Sequence, residues 1–263
     1  MKKVAVVLFN LGGPDSKSAV RPFLMNFFMD KNIIRLPVPF RCLLAWLISS
    51  RRSKREAKDS YGEIGGFSPL LVNTKVQAEA LQEVLKKDKT CTFKTFVCMR
   101  YWHPMAPQVA REVRDWQPDE IVLLPLYPQF STSTTWSSFG DWNKAMHFAG
   151  YECPSSAICC YPFNEGFIKA SAESIKQEYQ KAVKAGHERI RVLFSAHGLP
   201  ESFIKQGDPY RWQCEQSAEK IAQALEIENL DWSICYQSRV GPKKWIGPST
   251  EEELERAAKD KAA

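Results

Sequence analysis

Two kinds of hydrophobic run alternate along this chain. Short, nearly continuous apolar stretches of strand length occur at residues 4–9, 93–99, 121–126, 156–161, 190–196 and 232–236. Between them, apolar side chains recur at helical spacing. The stripes are Val76, Ala80, Leu81, Val84 and Leu85, then Val109, Val113 and Trp116, then Ile168, Ala172, Ile175 and Tyr179, then Ala218, Ile221, Ala222 and Leu225. Punctuation agrees with this phasing. Gly12-Gly13-Pro14 ends the first strand, and Asp15 or Ser16 is placed to cap a helix towards Met29. Thr74 with Gln77 and Ser249 with Glu252 read as capping boxes. Asp208-Pro209 reads as an N-cap followed by proline at the first helical position, and Gly186 follows the end of a helix.

Strand–helix alternation of this kind predicts parallel sheets with helices on both faces. Two half-chains of similar rhythm predict two α/β domains, residues 1–150 and 151–263, dividing within 141–154 where glycine, proline and polar residues gather. The last helix closes on Lys259-Asp260-Lys261-Ala262-Ala263 with no strand after it, so the second domain is expected to be incomplete.

Composition narrows the function classes. The chain has 263 residues, a formal net charge of +6 and eight cysteines. The positive charge is local: Arg51, Arg52, Lys54, Arg55 and Lys58 sit together, and a solvated helix face is preferred over an anion-binding lip. No Cys-x-x-Cys spacing occurs, which argues against a zinc finger or a dithiol redox motif. Cys159 and Cys160 are adjacent within an apolar run and are expected to be buried small hydrophobes. A reducing cytoplasm follows as the expected compartment. No stretch approaches the ~18 apolar residues of a membrane span, and the start is broken too early for a secretory signal. Residues 37–55 are apolar first and basic afterwards. A core helix with a charged exit is preferred there, with peripheral contact to a membrane surface as the alternative.

His197 stands out by position. It terminates the strand at 190–196, Gly198 permits a sharp turn and Pro200 prevents the strand from continuing. Ligands of open α/β sheets bind outside the carboxyl ends of strands, and an imidazole there can bind a metal or accept a proton near neutral pH. Neither Gly-x-Gly-x-x-Gly nor a Walker lysine motif is present, so dinucleotide or nucleoside triphosphate binding is not supported. Ser195 shares a strand face with His197, but no Gly-x-Ser-x-Gly elbow exposes a nucleophile. Tyr101, Trp102, Tyr127, Phe130, Trp136 and Trp245 fall in or just after loops at strand ends, which suits a cleft for a large flat ligand, while Trp116 and Trp212 suit the core. Arg100 and the basic cluster would meet acidic groups on that ligand. Nucleic acid is not favoured: no motif for it is present and the charge is small and local.

At these residues the chain closely resembles the ferrochelatases, over essentially its whole length. The matching stretches are Leu8-Phe9-Asn10-Leu11-Gly12-Gly13-Pro14, Met99-Arg100-Tyr101-Trp102-His103-Pro104, Leu126-Tyr127-Pro128-Gln129-Phe130-Ser131, and Phe194-Ser195-Ala196-His197-Gly198-Leu199-Pro200 with Gly207-Asp208-Pro209-Tyr210. Tyr236-Gln237-Ser238-Arg239-Val240-Gly241-Pro242 and Trp245-Ile246-Gly247-Pro248 also match. The resemblance implies two Rossmann-like domains, ferrous iron and a porphyrin (protoporphyrin IX) as substrates, and haem as product. It implies His197 as the catalytic, iron-binding or proton-accepting histidine, and Arg52, Tyr61, Ser68, Arg100, Tyr101 and Trp245 as porphyrin-binding positions. Some relatives hold an iron–sulfur cluster through a cysteine where this chain has Thr132, so no cluster is expected. The glutamate that family members carry on a later segment lies beyond the end of this sequence, which leaves a non-catalytic porphyrin- or haem-binding module as the alternative. The expected location is cytoplasmic with peripheral membrane contact.

Overall fold

The computed structural model describes residues 1–56, 67–239 and 242–263. These form two compact units, one of Met1–Pro128 with Thr132–Cys160, the other of Gln129–Ser131 with Tyr161–Ala263.

The first unit is built on a parallel sheet of four strands, β1 (Lys2–Asn10), β2 (Cys91–Met99), β3 (Glu120–Pro125) and β4 (Ser155–Ala157), in the order β2-β1-β3-β4. Val7 lies between Phe96 and Leu123, and this register sorts the two faces. Ala5, Val7, Phe9, Phe96 and Ile121 pack against α4 (Ala106–Trp116) and α5 (Thr135–Phe148), with Trp142 almost fully buried. Val6 and Leu8 point the other way, onto α3 (Leu70–Leu85). Residues 4–9 of this central strand are therefore apolar without interruption, because both faces are covered there.

Helix α3 departs from its expected phasing. It starts at Leu70, so Thr74 is inside the helix rather than at a cap. The buried stripe runs through Thr74, Ala78, Leu81 and Leu85, while Val76 and Val84 are exposed. Polar residues occupy the inner face because each satisfies a specific buried group. The Thr74 hydroxyl donates to the Leu70 carbonyl at 2.7 Å and accepts from Asn10 at 3.0 Å. The Gln82 amide accepts from the Thr95 N–H at 2.8 Å and donates to the Phe93 carbonyl at 3.0 Å, so a side chain occupies hydrogen-bonding groups on the open edge of β2.

Helices α1 (Val20–Phe28) and α2 (Val38–Glu56) pack together around Val20, Phe23, Leu24, Phe28 and Ala45. Helix α1 begins without a side-chain cap, so Asp15 and Ser16 do not serve as its N-cap. The expectation that α2 is a core helix is not met. Ala45 and Ser49 are buried, but Val38, Phe40, Leu43 and Trp46 face solvent.

The second unit pairs β5 (Arg191–His197) with β6 (Asp231–Gln237) in parallel, Arg191 opposite Asp231 and His197 opposite Gln237. Helices α6 (Glu165–Lys184) and α8 (Tyr210–Ala224) cover one region through Ile168, Ala172, Ile221 and Leu225, the residues of the expected stripes. Helix α9 (Thr250–Lys259) opens with the expected capping box of Ser249 and Glu252. The Asp208 carboxylate accepts the Tyr210 N–H at 3.0 Å, just before α8. Arg191 bonds both Asp231 and Asp260. Ala263 is bracketed by β5: its N–H donates to the Arg189 carbonyl at 2.9 Å, and its carbonyl accepts from the Arg191 N–H at 3.0 Å. Trp212, expected in the core, is exposed and meets the Phe163 ring edge-on at 5.6 Å. The predicted α/β architecture with parallel sheets is the observed one.

Candidate functional site

His197 is the last residue of β5, and its side chain is exposed. The ladder continues one rung further, where the Gly198 N–H donates to the Gln237 carbonyl at 2.8 Å. Beyond that, the chain pairs with the segment following β6. Ile246 N–H donates to the Leu199 carbonyl at 3.0 Å, Glu201 N–H to the Lys244 carbonyl at 2.9 Å, and Pro200 faces Trp245 in an antiparallel bridge. Two strand-end loops distant in sequence are thereby fastened to each other. Gly198 sits in the crossing: a Cβ there would lie 2.8 Å from the Gln237 carbonyl oxygen and 3.3 Å from the Trp245 ring. Only glycine lets the Trp245 ring lie this close to the turn after His197.

The seat beneath this turn is apolar, formed by Leu199, Cys214, Tyr236 and Ile246. Short helix α7 (Glu201–Lys205) follows, and Glu201 pairs with Lys244 at 3.1 Å and Lys205 at 3.7 Å. Glu201 is thus an anchor for the loop carrying Trp245 rather than a free carboxylate. Ser195 shares a hydrogen bond of 2.9 Å with Thr250, so it is held away from a role as a nucleophile. Partial desolvation of the imidazole holds the His197 pKa below its ordinary 6.5, although the residue remains solvent-accessible. At neutral pH the ring is uncharged and keeps a nitrogen lone pair.

The other candidates lie in the first unit. Ser68 sits at the turn after β1, where its N–H donates to the Pro14 carbonyl at 2.9 Å. Gly12 in the same turn has φ of +82°, and a Cβ there would lie 2.9 Å from the Trp102 nitrogen. The Gly12-Gly13-Pro14 signal thus marks a tight turn filled by protein. Arg52 is exposed on α2, its guanidinium 5.9 Å from the Phe28 ring. Tyr61 lies outside the described residues, as do Lys58 and the side chains of Lys54 and Arg55.

Arg100 and Tyr101 are placed differently from the expected cleft wall. Tyr101 is 0% exposed, and its hydroxyl donates to Asp30 at 2.7 Å. Arg100 donates to the same carboxylate at 3.0 Å and to Ser137 at 2.8 Å, and it approaches Asp141 at 3.5 Å. Ser137 also donates to Asp30, and Asn32 contacts it through its N–H at 2.8 Å and its side-chain amide at 3.0 Å. A ring with no exposed surface offers no face to a ligand, and this guanidinium is committed to protein carboxylates. Burial would raise the Asp30 pKa, but the Arg100 charge and the donated hydrogen bonds outweigh it and hold the carboxyl below its ordinary value. For Asp141, burial raises the pKa, Arg100 opposes the rise and Asp30 reinforces it, with a net upward shift. Sequence spacing carried no sign of this node, because Asp30 lies in a loop after α1 and gathers Asn32 from its own loop, Arg100 and Tyr101 from the loop after β2, and Ser137 from α5.

Two open grooves lie elsewhere. One of about 840 Å³ in the second unit is lined by Phe163, Ile168, Ala172, Lys176 and Lys220, and one of about 730 Å³ follows β2 beside Phe96 and Trp116. Neither contains a candidate site residue. Among the described residues, no group of three or more His, Cys, Asp or Glu is placed to hold a metal ion.

Comparison with known proteins is decisive at the family level. A ferrochelatase family model matches residues 3–263. A ferrochelatase of Wolbachia sp. subsp. Drosophila simulans is 54% identical over 260 residues, covering 99% of this chain and 81% of the relative. Those of Hyphomonas neptunium and Caulobacter vibrioides are 52% and 50% identical, each covering 97% of this chain and 70% and 72% of the relative.

Two measurements test the geometry. Gly198→Ala is expected to cost about 1–3 kcal/mol by overpacking, read as a lowered denaturation midpoint; an unchanged midpoint contradicts the close approach. Asp30→Asn is expected to cost about 1–3 kcal/mol, because it removes the charged acceptor of several hydrogen bonds and leaves Arg100 only Asp141, at 3.5 Å, as a carboxylate partner. The depressed Asp30 pKa adds stability above its ordinary 3.8 that is lost as pH falls through the lower folded value. The gap between variant and parent should therefore narrow on acidification below that point, measured by urea titration at several pH values.

Proposed function

The chain belongs to the ferrochelatase family, and from that premise we propose how its own residues serve the reaction. Ferrochelatases insert ferrous iron into a porphyrin to make haem, and this chain is an enzyme of that class. The comparisons lend no support to a non-catalytic binding module.

The reaction has a simple balance. A free porphyrin carries two pyrrole N–H protons, and both leave as iron enters. Iron(II) arrives with two positive charges and two protons depart, so no electron is exchanged. What the protein must supply is a basic lone pair at the ring and a surface that holds the macrocycle still. His197 is the candidate for the first task. Its imidazole is exposed at a strand carboxyl end and is neutral at physiological pH because desolvation disfavours its protonated form. A neutral imidazole can take a pyrrole proton or pass iron to the ring face, since ferrous iron accepts imidazole ligation. Trp245 is the candidate for the second task, because its ring packs against Gly198 in the turn immediately after His197. The observation that carries the reading is this pairing of an exposed, neutral imidazole with a fixed indole.

Ser68, Arg52 and Tyr61 remain proposed porphyrin contacts by their match to the family motifs. Arg100 and Tyr101 are proposed instead as supports that hold the loop after β2 in place through Asp30. Helix α2 is proposed to rest on a membrane surface. Phe40, Leu43 and Trp46 form an exposed apolar row, and Arg51 and Arg52 follow one to two turns later, suited to anionic headgroups. No helix among the described residues is long and apolar enough to cross a membrane.

His197→Ala is expected to abolish iron insertion under anaerobic conditions while leaving porphyrin binding largely intact, measured by absorbance; retained turnover refutes the assignment. In the parent enzyme, the rate should fall on acidification with an apparent pKa below 6.5, since the lowered value keeps the base available to a more acidic pH. For the membrane contact, Leu43→Glu with Trp46→Glu should abolish cosedimentation with anionic vesicles without reducing turnover in detergent. Undiminished sedimentation removes α2 as the contact.

A further inference from the structure

Cys159 and Cys160 are not the buried hydrophobes their apolar context predicts. Cys159 is exposed and Cys160 half-buried, and their sulfurs are 3.6 Å apart. That separation is informative. Along a regular strand, successive side chains point to opposite faces, so neighbouring sulfurs would diverge. Here the strand geometry has just ended: β4 stops at Ala157, and the last ladder contact is Ile158 N–H to the Leu123 carbonyl at 2.9 Å. Released from the pleat, the two thiols turn to the same side.

The position also matters. Cys160 is the last residue of the first unit, and the chain enters the main segment of the second, Tyr161–Ala263, at the next residue. Tyr161 is anchored in its own unit, its carbonyl accepting from Asn164 at 3.2 Å and its ring meeting Phe167 edge-on at 6.3 Å. The cysteine pair therefore occupies the short stretch between the last fixed residue on one side and the first fixed residue on the other. Elsewhere in the chain, burial pushes the thiols of Cys98 and Cys153 up, and that of Cys214 up to about 12, which suppresses their thiolates.

We propose that Cys159 and Cys160 form a reversible vicinal disulfide, a thiol-oxidation site at the connection between the two units. The oxidant class is a low-molecular-weight disulfide such as oxidised glutathione. The Cys159 thiolate attacks one sulfur of the oxidant, forming a mixed disulfide and expelling the first glutathione thiolate. The Cys160 thiolate then attacks the Cys159 sulfur and expels the second. Two protein thiols are oxidised, one glutathione disulfide is reduced to two thiols, and the protons lost from the cysteines go to the departing thiolates. Adjacent α-carbons are about 3.8 Å apart, shorter than the span that relaxed disulfides prefer. The ring is therefore strained and readily reopened by thiols, the behaviour of a regulatory disulfide rather than a structural one. Closing it removes backbone freedom between Ile158 and Tyr161.

The test uses the full chain, incubated with oxidised glutathione, alkylated with N-ethylmaleimide and read by intact mass and peptide mapping. The expected result is loss of two hydrogens and of two alkylatable thiols, both mapped to the peptide carrying residues 159 and 160, and both restored by dithiothreitol. Cys160→Ser should instead trap glutathione on Cys159. The proposal is overturned if both thiols remain alkylatable, if the lost pair maps elsewhere, if glutathione persists on Cys159 of the unaltered chain, or if the variant takes no adduct.

Discussion

One hydrogen bond fixes where the end of β5 stands: Gly198 N–H to the Gln237 carbonyl. It is the last rung between the parallel strands β5 and β6, and it lies one residue beyond His197. Up to that rung, β5 is held in register against β6 from Arg191–Asp231 to His197–Gln237, which sets the height of the imidazole on the sheet. Past it, the chain turns and zips to the segment containing Trp245 through the Leu199 and Lys244 carbonyls. The absence of a Cβ at position 198 makes both events compatible, because ring and carbonyl occupy the space a side chain would need. The histidine is consequently placed by backbone hydrogen bonding, and its side chain is left exposed at the strand end.

A different principle organises the first unit. Asp30 collects an arginine, a tyrosine, a serine and an asparagine around one buried carboxylate. Desolvating a carboxylate is costly, and here the cost is offset by a full set of donors and a partly buried guanidinium. Such a node tolerates loss of one member poorly, since the partner of the lost group is left with an unmet bond in a largely buried place. It ties the loop after α1 to the loop after β2 and to α5. Arg100 and Tyr101 thus belong to the support of their loop. The family resemblance marks them as important, and the physical reason visible here is positioning.

Much of the fold was legible in the sequence. Strands β1, β2, β3, β5 and β6 were marked by their apolar runs, whereas the run at 156–161 yields only the short exposed β4, Ser155–Ala157; α6, α8 and α9 were marked by stripes and a capping box that the structure reproduces. The misreadings have specific causes. Thr74 and Gln82 carry polar side chains on a buried face because one answers Asn10 and the other answers the open edge of β2; hydropathy alone turned α3 by part of a turn and pointed Val76 and Val84 inwards. The apolar run at 42–48 suggested a core helix, yet only a narrow stripe of α2 finds a partner in α1 and the rest faces solvent. Cys159 and Cys160 lie past the end of β4, a short strand that is itself exposed, so their apolar context buries neither fully.

By itself, the sequence determined the class of architecture, the strand that ends at His197 and, through its motifs, the family. These are properties of local pattern: period, turn chemistry and the order of residues along one segment. Tertiary structure decided which distant residues meet. It set Trp245 against Gly198, wrapped Arg100 and Tyr101 around Asp30, left one face of α2 in solvent and brought two neighbouring thiols to the same side. Burial and partner choice depend on elements far apart in the chain, and no local periodicity encodes which of two apolar faces will find something to pack against.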